Sequence, residues 1–265
     1  MQNKVVVITG ASKGIGAELA KQLAARGAKL VLAARNVQEL EAVAAECRKA
    51  GGEHVITVRA DVGVERDCQA IMSGAALAFG GIDVLVNNAG ATMWARFEEI
   101  EDISVFERIM QVNYMGSVYC TRHALPYLRQ SGGLLVGISS LAGRTGVPTR
   151  SGYAASKHAM VGFFDSLRIE LDGSGVDVTM IYPGFVSTGI RENATGPDGK
   201  AIQVSPVKEG EVMGVEECAR IIVNAIQTRK REVIMTARGK IGLWLKLLAP
   251  SFVDRLARRA IEKGR

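Results

Sequence analysis

Two residues capable of acid–base chemistry, Tyr153 and Lys157, lie four positions apart. In a helix they would share one face, one turn apart. A free phenol titrates at about pH 10 and is a poor base at neutral pH, but a neighbouring ammonium group stabilises the phenolate and lowers its pKa. Such a tyrosine can exchange a proton with a substrate oxygen when a carbonyl and an alcohol interconvert. Taken alone, the same spacing also fits a surface pair of an aromatic ring and a cation.

Further polar groups accompany this pair. Ser139 and Ser140 follow a predicted strand, where a hydroxyl group can donate a hydrogen bond to a substrate oxygen as charge develops. The segment 87–90, Asn-Asn-Ala-Gly, follows an earlier strand. Asn113 falls inside a predicted helix, where asparagine is unfavourable. It would hold a water molecule, break a helical turn or lie exposed as an ordinary amide.

The first predicted strand ends in a glycine-rich segment, residues 9–16, with glycine at positions 10, 14 and 16. Glycines allow a tight turn and let the backbone approach a pyrophosphate, which the N–H groups of the next helix would face. We interpret the segment as a phosphate-binding turn. A plain glycine-rich connection between strand and helix is the alternative.

The end of the second predicted strand indicates which dinucleotide is bound. An NAD enzyme places an acidic residue there for the ribose 2′-hydroxyl, whereas an NADP enzyme places a cation for the 2′-phosphate. Residues 32–36 contain no carboxylate, and Arg35 lies 19 residues after Gly16. Lys13, in the glycine-rich turn, is a second cation. These two residues predict NADP(H), unless both are ordinary surface charges.

Together these motifs, with Pro183-Gly184, resemble the short-chain dehydrogenase/reductase family in order and spacing over residues 4–235. The resemblance implies that Tyr153 donates or accepts the proton, and that Lys157 lowers its pKa and binds the nicotinamide ribose. Ser140, 13 residues before Tyr153 as is usual in the family, would hydrogen-bond the substrate oxygen. Asn113 would hold a water molecule that links Lys157 to solvent.

The resemblance also implies a set of cofactor-binding residues. They would surround the phosphates and adenosine ribose, flank the adenine, line the cleft and meet the nicotinamide end. The set is Gly10, Ser12, Lys13, Gly14, Ile15, Gly16, Arg35, Asn36, Asp61, Val62, Asn88, Ala89, Gly90, Tyr153, Lys157, Pro183, Gly184, Val186 and Thr188.

Short apolar runs alternate with longer amphipathic segments along the whole chain. Strands are predicted at 4–9, 29–33, 54–59, 83–86, 133–138, 176–181 and 232–235. Helices are predicted at 14–26, 37–50, 65–79, 103–114, 117–129, 153–171 and 215–228. This pattern predicts an α/β fold, a single Rossmann-type doubly wound parallel sheet of about seven strands with helices on both faces. We assign residues 1–238 to this domain and 239–265 to a C-terminal helical extension.

Composition excludes other classes of function. The last 38 residues hold eleven basic and three acidic side chains, but no recognisable nucleic-acid motif accompanies them, so no nucleic-acid partner is expected. The four cysteines and three histidines are scattered, which indicates reduced thiols and no metal site. The polar start runs into an apolar segment too short to span a bilayer, and we expect a cytoplasmic protein.

The substrate side is less well defined. Residues 184–213 would form the substrate loop, and an apolar, secondary alcohol or its carbonyl is the expected substrate. Side chains that could add an apolar wall are Met93, Trp94, Phe97, Leu141, Val147 and Tyr182. The family resemblance implies a homodimer or homotetramer formed through helices 103–114, 117–129 and 153–171.

The tail, residues 239–265, is apolar and then basic. It would lie on a membrane surface, cover the substrate mouth or pack on a second subunit. It resembles the C-terminal extensions of hydroxysteroid dehydrogenases and of type 7 dehydrogenase/reductases. The alternative to an enzyme is a catalytically silent NADP-binding regulatory or scaffold protein, but such a protein has no need of Asn113, Ser140, Tyr153 and Lys157 together.

Overall fold

A computed structural model describes residues 1–189, 193–203 and 212–263, with the side chains of 260–263 left out. Within these residues the chain forms one parallel sheet in the order β3-β2-β1-β4-β5-β6-β7. The strands are β1 Val5–Thr9, β2 Lys29–Ala34, β3 Val55–Arg59, β4 Val84–Asn87, β5 Leu134–Ile138, β6 Asp177–Tyr182 and β7 Glu232–Ile234. The predicted doubly wound sheet is therefore confirmed.

Helices cover both faces of this sheet. They are α1 Gly14–Ala24, α2 Val37–Lys49, α3 Glu65–Phe79, α4 Ser104–Met110, α5 Gly116–Ser131, α6 Ser151–Glu170, α7 Val215–Gln227, α8 Ala237–Leu248 and α9 Pro250–Lys263. Every residue of β1 and β5 is buried, as expected for parallel strands that are covered on both sides.

Two apolar layers hold the helices to the sheet. One contains buried residues of α1, α2 and α7 against one face of the strands, and the other contains residues of α3, α5 and α6 against the opposite face. Gly137 in β5 allows α6 to approach closely, because a Cβ atom there would lie 3.0 Å from the Phe164 ring. The middle of α6 is thereby packed closely against β5.

The order of the strands creates a crevice. β1 pairs with β2 on one side and with β4 on the other, so the chain runs outward in opposite directions from β1. The loops that follow β1 and β4 therefore separate at the carboxyl edge of the sheet, which is where ligands bind in open α/β sheets.

The two predicted helices at 103–114 and 117–129 form one nearly continuous helical stretch. A π-helical turn, Gln111–Met115, joins α4 to α5 and contains Asn113. The carbonyl oxygen of Asn113 accepts a hydrogen bond from the Ser117 hydroxyl at 2.8 Å. Of the roles considered for Asn113, a break in the helical turn agrees with this π-helical turn, whereas an exposed amide does not, since Asn113 is buried.

The C-terminal extension consists of two helices. Thr236 caps α8, and Pro250 occupies the first position of α9, where its missing N–H group costs nothing. In the part of the chain that is described, no helix is long and apolar enough to cross a membrane. Of the predicted substrate loop at 184–213, residues 190–192 and 204–211 lie outside the described residues.

Candidate active site

A cleft of about 540 Å³ opens at the carboxyl edge of the sheet. It brings together residues from the ends of six strands, β1 to β6, and from the start of α6. All of the predicted site residues line it except Gly16 and Asn113, which lie just behind its wall: Gly10, Ser12, Lys13, Gly14, Ile15, Arg35, Asn36, Asp61, Val62, Asn88, Ala89, Gly90, Ser140, Tyr153, Lys157, Pro183, Gly184, Val186 and Thr188.

The glycine-rich turn forms one end of the cleft. Gly10 adopts φ +64°, and a Cβ atom there would lie 2.7 Å from the Cα atom of Ala89. A Cβ atom at Gly16 would lie 2.4 Å from the Gly10 carbonyl oxygen. The Asn88 amide donates hydrogen bonds to the carbonyl oxygens of Thr9 (2.9 Å) and Gly10 (3.1 Å) and so ties the turn to the end of β4. Only glycine fits this packing, and the cradle that results suits a pyrophosphate.

The far end of the cleft carries the residues expected to select the cofactor. The exposed Arg35 and Asn36 follow β2, and the Asn36 side chain accepts a hydrogen bond from the N–H group of Glu39, which caps α2. Lys13 forms an ion pair with Glu39 at 2.7 Å. Glu39 also lines the cleft and was not predicted from the sequence. Its position in the first turn of the helix that follows Arg35 was the only available signal.

Tyr153 and Lys157 lie on the first two turns of α6, facing β5. Both are almost completely buried, with exposed fractions of 7% and 4%. The Lys157 ammonium group donates a hydrogen bond to the Ile138 carbonyl oxygen at 2.8 Å and lies 5.9 Å from the centre of the Tyr153 ring. The predicted helical juxtaposition is therefore present, and it is a buried pair rather than a surface pair.

The electrostatic surroundings favour ionisation of Tyr153. Burial alone would raise its pKa, but Lys157, and after it Arg150, outweigh burial and hold the pKa of Tyr153 below its ordinary value. The same burial, together with Arg150, lowers the pKa of Lys157. The phenol is thus set up to exchange a proton at a pH closer to neutrality than free tyrosine.

The two consecutive serines have different surroundings. The Ser139 hydroxyl donates to the carbonyl oxygen of Lys157 at 3.3 Å and is buried. Ser140 accepts a hydrogen bond from the Ala142 N–H group at 3.2 Å and also hydrogen-bonds the phenol of Tyr153. Ser140 is therefore the serine that shares the reacting region with the tyrosine.

Asn113 joins three parts of the site. Its side-chain oxygen accepts a hydrogen bond from the Ala91 N–H group at 2.7 Å, and its amide donates to the Ala91 carbonyl oxygen at 2.9 Å. The same amide donates to the Ser156 hydroxyl at 2.8 Å. Asn113 is completely buried. It therefore ties the loop after β4 to α6, directly beside Lys157.

Arg150 also lines the cleft and was not predicted from the sequence. It immediately precedes α6, is 7% exposed, and its guanidinium carbon lies 4.1 Å from the centre of the Tyr153 ring. In a sequence, an arginine in a loop, such as Arg150, is interpreted as a surface charge. Its burial becomes evident only when the surrounding loops have folded around it.

The six side chains considered for an apolar wall of the pocket fitted core or surface positions equally well in the sequence. None of the six borders the described cleft, which has Phe185 and Val186 on its apolar side instead. Tyr182, the last residue of β6, is fully buried in the core, whereas Phe97 is 67% exposed. Among the described residues, no three histidine, cysteine or acidic side chains converge on a possible metal site.

Comparisons with known proteins agree with this geometry. A family model described as short chain dehydrogenase matches residues 4–198. The chain is 41% identical over 263 residues to 11-beta-hydroxysteroid dehydrogenase 1A of Arabidopsis thaliana, covering 96% of this chain and 74% of that protein. It is 36% identical to the dehydrogenase/reductase SDR family protein 7-like of Dictyostelium discoideum, covering 97% and 82%.

Among solved structures, the fold is similar to an alcohol dehydrogenase from the archaeon Thermococcus sibiricus complexed with 5-hydroxy-NADP. The TM-score is 0.75 at 28% identity, and the match covers 88% of this chain and 95% of that one. Both the sequence relatives and this structure are dehydrogenases, so sequence and fold agree on one class of protein.

Proposed function

Because the chain belongs to the short-chain dehydrogenase family, we propose that it is an NADP(H)-dependent oxidoreductase that interconverts a carbonyl compound and an apolar secondary alcohol. The observation that carries this proposal is the meeting of Tyr153, Lys157 and Ser140 in the same cleft as a glycine-rich phosphate cradle. A bound nicotinamide cofactor supplies or accepts the hydride. The residues of the chain bind and orient the reactants and move the proton.

In the reducing direction, the Tyr153 hydroxyl gives its proton to the carbonyl oxygen as negative charge develops there. Ser140 donates a hydrogen bond to the same oxygen and stabilises that charge. The resulting phenolate is stabilised by the buried ammonium group of Lys157. In the oxidising direction the phenolate removes the proton from the alcohol. Because its pKa is lowered, Tyr153 becomes an effective base at a lower pH than a free phenol.

A silent NADP-binding regulatory protein is the alternative. Such a protein would use the cradle at Gly10 and Gly16 and would use Lys157 to bind the ribose, but it has no need of a tyrosine whose pKa is lowered and which has Ser140 beside it. We therefore favour the enzyme.

The experiment that tests the proposed function is the substitution Tyr153→Phe, which removes only the hydroxyl group. We expect kcat to fall by about a hundredfold or more, since proton transfer is lost, while NADPH affinity stays nearly unchanged. A panel of ketones, aldehydes and steroid-like alcohols, followed by NADPH absorbance, measures the activity. Tyr127→Phe, on α5, is the matched control. Undiminished activity of Tyr153→Phe contradicts the mechanism, and no turnover by the unaltered protein on the whole panel favours the silent alternative.

The preference for NADP(H) rests on the charges near the end of β2. Arg35 and Lys13 both line the cleft there, and the archaeal relative of similar fold was solved with an NADP derivative. A 2′-phosphate would be drawn to these two cations. Glu39 opposes this attraction, because its carboxylate pairs with Lys13 at 2.7 Å and would repel the phosphate. Binding of NADP(H) would transfer Lys13 from the carboxylate to the phosphate.

Accordingly, Glu39→Gln should tighten NADPH binding by about threefold or more, since an exposed ion pair of this kind is weak but directly competes with the phosphate. Binding of NADH, which has no 2′-phosphate, should hardly change. Titration of cofactor fluorescence gives both dissociation constants. Glu41→Gln, on the same helix but outside the cleft, is the control. Tighter binding of NADH than of NADPH by the unaltered protein would refute the assignment of the cofactor.

We also propose that the protein works in the cytoplasm as a peripheral membrane protein, in contact with an anionic lipid surface through α8 and α9. No residue of α8 is buried. Trp244 is 73% exposed and Leu248 is 85% exposed, and Phe252 on α9 is 46% exposed. Basic residues of α8 and α9, among them Lys240 and Arg255, complement anionic lipid headgroups. Resemblance to the family also supports a homodimer or homotetramer formed through α4, α5 and α6.

The double substitution Trp244→Glu/Leu248→Glu should abolish co-sedimentation with vesicles of phosphatidylserine and phosphatidylcholine at low salt, because it places charge in the apolar surface. The unaltered protein should sediment with these vesicles, and less with pure phosphatidylcholine. Leu77→Glu, an equally exposed leucine on α3, is the control. Equal sedimentation of the unaltered protein and the double variant would eliminate the membrane contact.

A further inference from the structure

The Tyr153 side chain lies beside two buried cations rather than one. Lys157 follows it by one helical turn, and its ammonium group lies 5.9 Å from the ring centre. The Arg150 guanidinium carbon is closer, at 4.1 Å. Arg150 and Lys157 are exposed by only 7% and 4%, so solvent does little to weaken either charge. Family resemblance accounts for the lysine but assigns nothing to the arginine.

The position of Arg150 is fixed by the loops around it. Its guanidinium group donates a hydrogen bond to the Thr92 hydroxyl at 2.6 Å and lies 5.7 Å from the centre of the Trp94 ring. The preceding residue, Thr149, adopts φ +66°, a strained conformation for a β-branched residue. The Thr149 carbonyl oxygen accepts a hydrogen bond from the Ala95 N–H group at 2.9 Å. The loop after β4 thus holds the backbone that directs the arginine into the cleft.

We propose that Arg150 is a second cation of the active site, which acts through Tyr153 by stabilising its negatively charged form during proton transfer. It is therefore a positioning residue rather than a catalytic one. The inference rests on the proposed function, since it gives Tyr153 the role of acid and base. Its consequence is that Tyr153 reaches its reactive, deprotonated form at a lower pH than Lys157 alone would allow.

The groups that act on Tyr153 are few. From α6 there is Lys157, from the residue before α6 there is Arg150, and from the end of β5 there is the neutral hydroxyl of Ser140. All three favour the phenolate, and no carboxylate is among them. Their combined effect exceeds that of burial, so the pKa of Tyr153 falls below its ordinary value.

A second arginine–tyrosine pair in the same molecule gives the contrast. The Arg144 guanidinium carbon lies 5.2 Å from the centre of the Tyr182 ring, and the group donates a hydrogen bond to the Tyr182 hydroxyl at 3.3 Å. Arg144 also pairs with Glu232 at 3.4 Å. Here burial, together with the Asp165 and Glu232 carboxylates, prevails over Arg144, and the pKa of Tyr182 is raised. An adjacent arginine is therefore not sufficient by itself; at Tyr153, Arg150 acts beside Lys157 and no carboxylate opposes the two cations.

Ultraviolet difference titration tests the proposal without turnover. Subtracting the absorbance of Tyr153→Phe from that of the unaltered protein isolates the tyrosinate signal of Tyr153. The same subtraction is made in the backgrounds Arg150→Met, Arg150→Gln and Arg150→Lys. Arg144→Met, which removes the arginine of the contrasting pair, is the control. Circular dichroism checks that each variant is folded, and Arg150→Gln is used if Arg150→Met is not.

We expect the Tyr153 midpoint to rise by roughly one pH unit in Arg150→Met and Arg150→Gln, since an opposite charge at this range has been removed. Arg150→Lys, which keeps the charge, should retain most of the lowering, and Arg144→Met should leave the midpoint unchanged. An unchanged midpoint in the neutral variants overturns the proposal, as does a rise in Arg150→Lys equal to theirs. Because only Tyr153 is measured, failure here is distinct from failure to find a substrate.

Discussion

The site depends on the burial of a phenol together with two cations. Removing ammonium and guanidinium groups from water is costly, and the cost is tolerated only where other groups replace the lost hydration. The Ile138 carbonyl oxygen accepts from Lys157, and the Thr92 hydroxyl accepts from Arg150. Ionisation of Tyr153 would add the compensating negative charge. The three side chains are thus most stable together when Tyr153 is ionised, the state that it enters after giving its proton to a carbonyl oxygen and from which it accepts the proton of an alcohol.

The fold supplies this arrangement through the carboxyl edge of the sheet. β5 ends at the carbonyl group that binds Lys157, and the loop after β4 contributes Thr92 and, through Asn113, is tied to α6. The same loop begins with Asn88, which fixes the glycine-rich turn after β1. Hydrogen bonds from the loop after β4 therefore connect the phosphate cradle with the acid–base pair. A ligand bound along the cleft would contact both.

Much of this was predictable from the sequence because the signals are local. Near-continuous apolar runs identify parallel strands, and a four-residue spacing places Tyr153 and Lys157 on one helical face. Glu39 and Arg150 were missed because their roles depend on contacts between separate segments: the ion pair with Lys13, and the folding of the loop after β4 around the arginine. The six candidate wall residues could not be assigned for the same reason, since a residue such as Tyr182 fits core and cleft equally well in a sequence.

The most direct test of the account is a crystal structure of the protein with NADPH bound. We expect the pyrophosphate at the turn that contains Gly10 and Gly16, the 2′-phosphate beside Arg35 and Lys13, and the nicotinamide ring next to Tyr153, with its ribose hydroxyls on Lys157. In this arrangement the cofactor would supply the hydride and Tyr153 the proton to one substrate bound between them. A nucleotide bound outside this cleft, or with its nicotinamide ring directed away from Tyr153, would contradict the account.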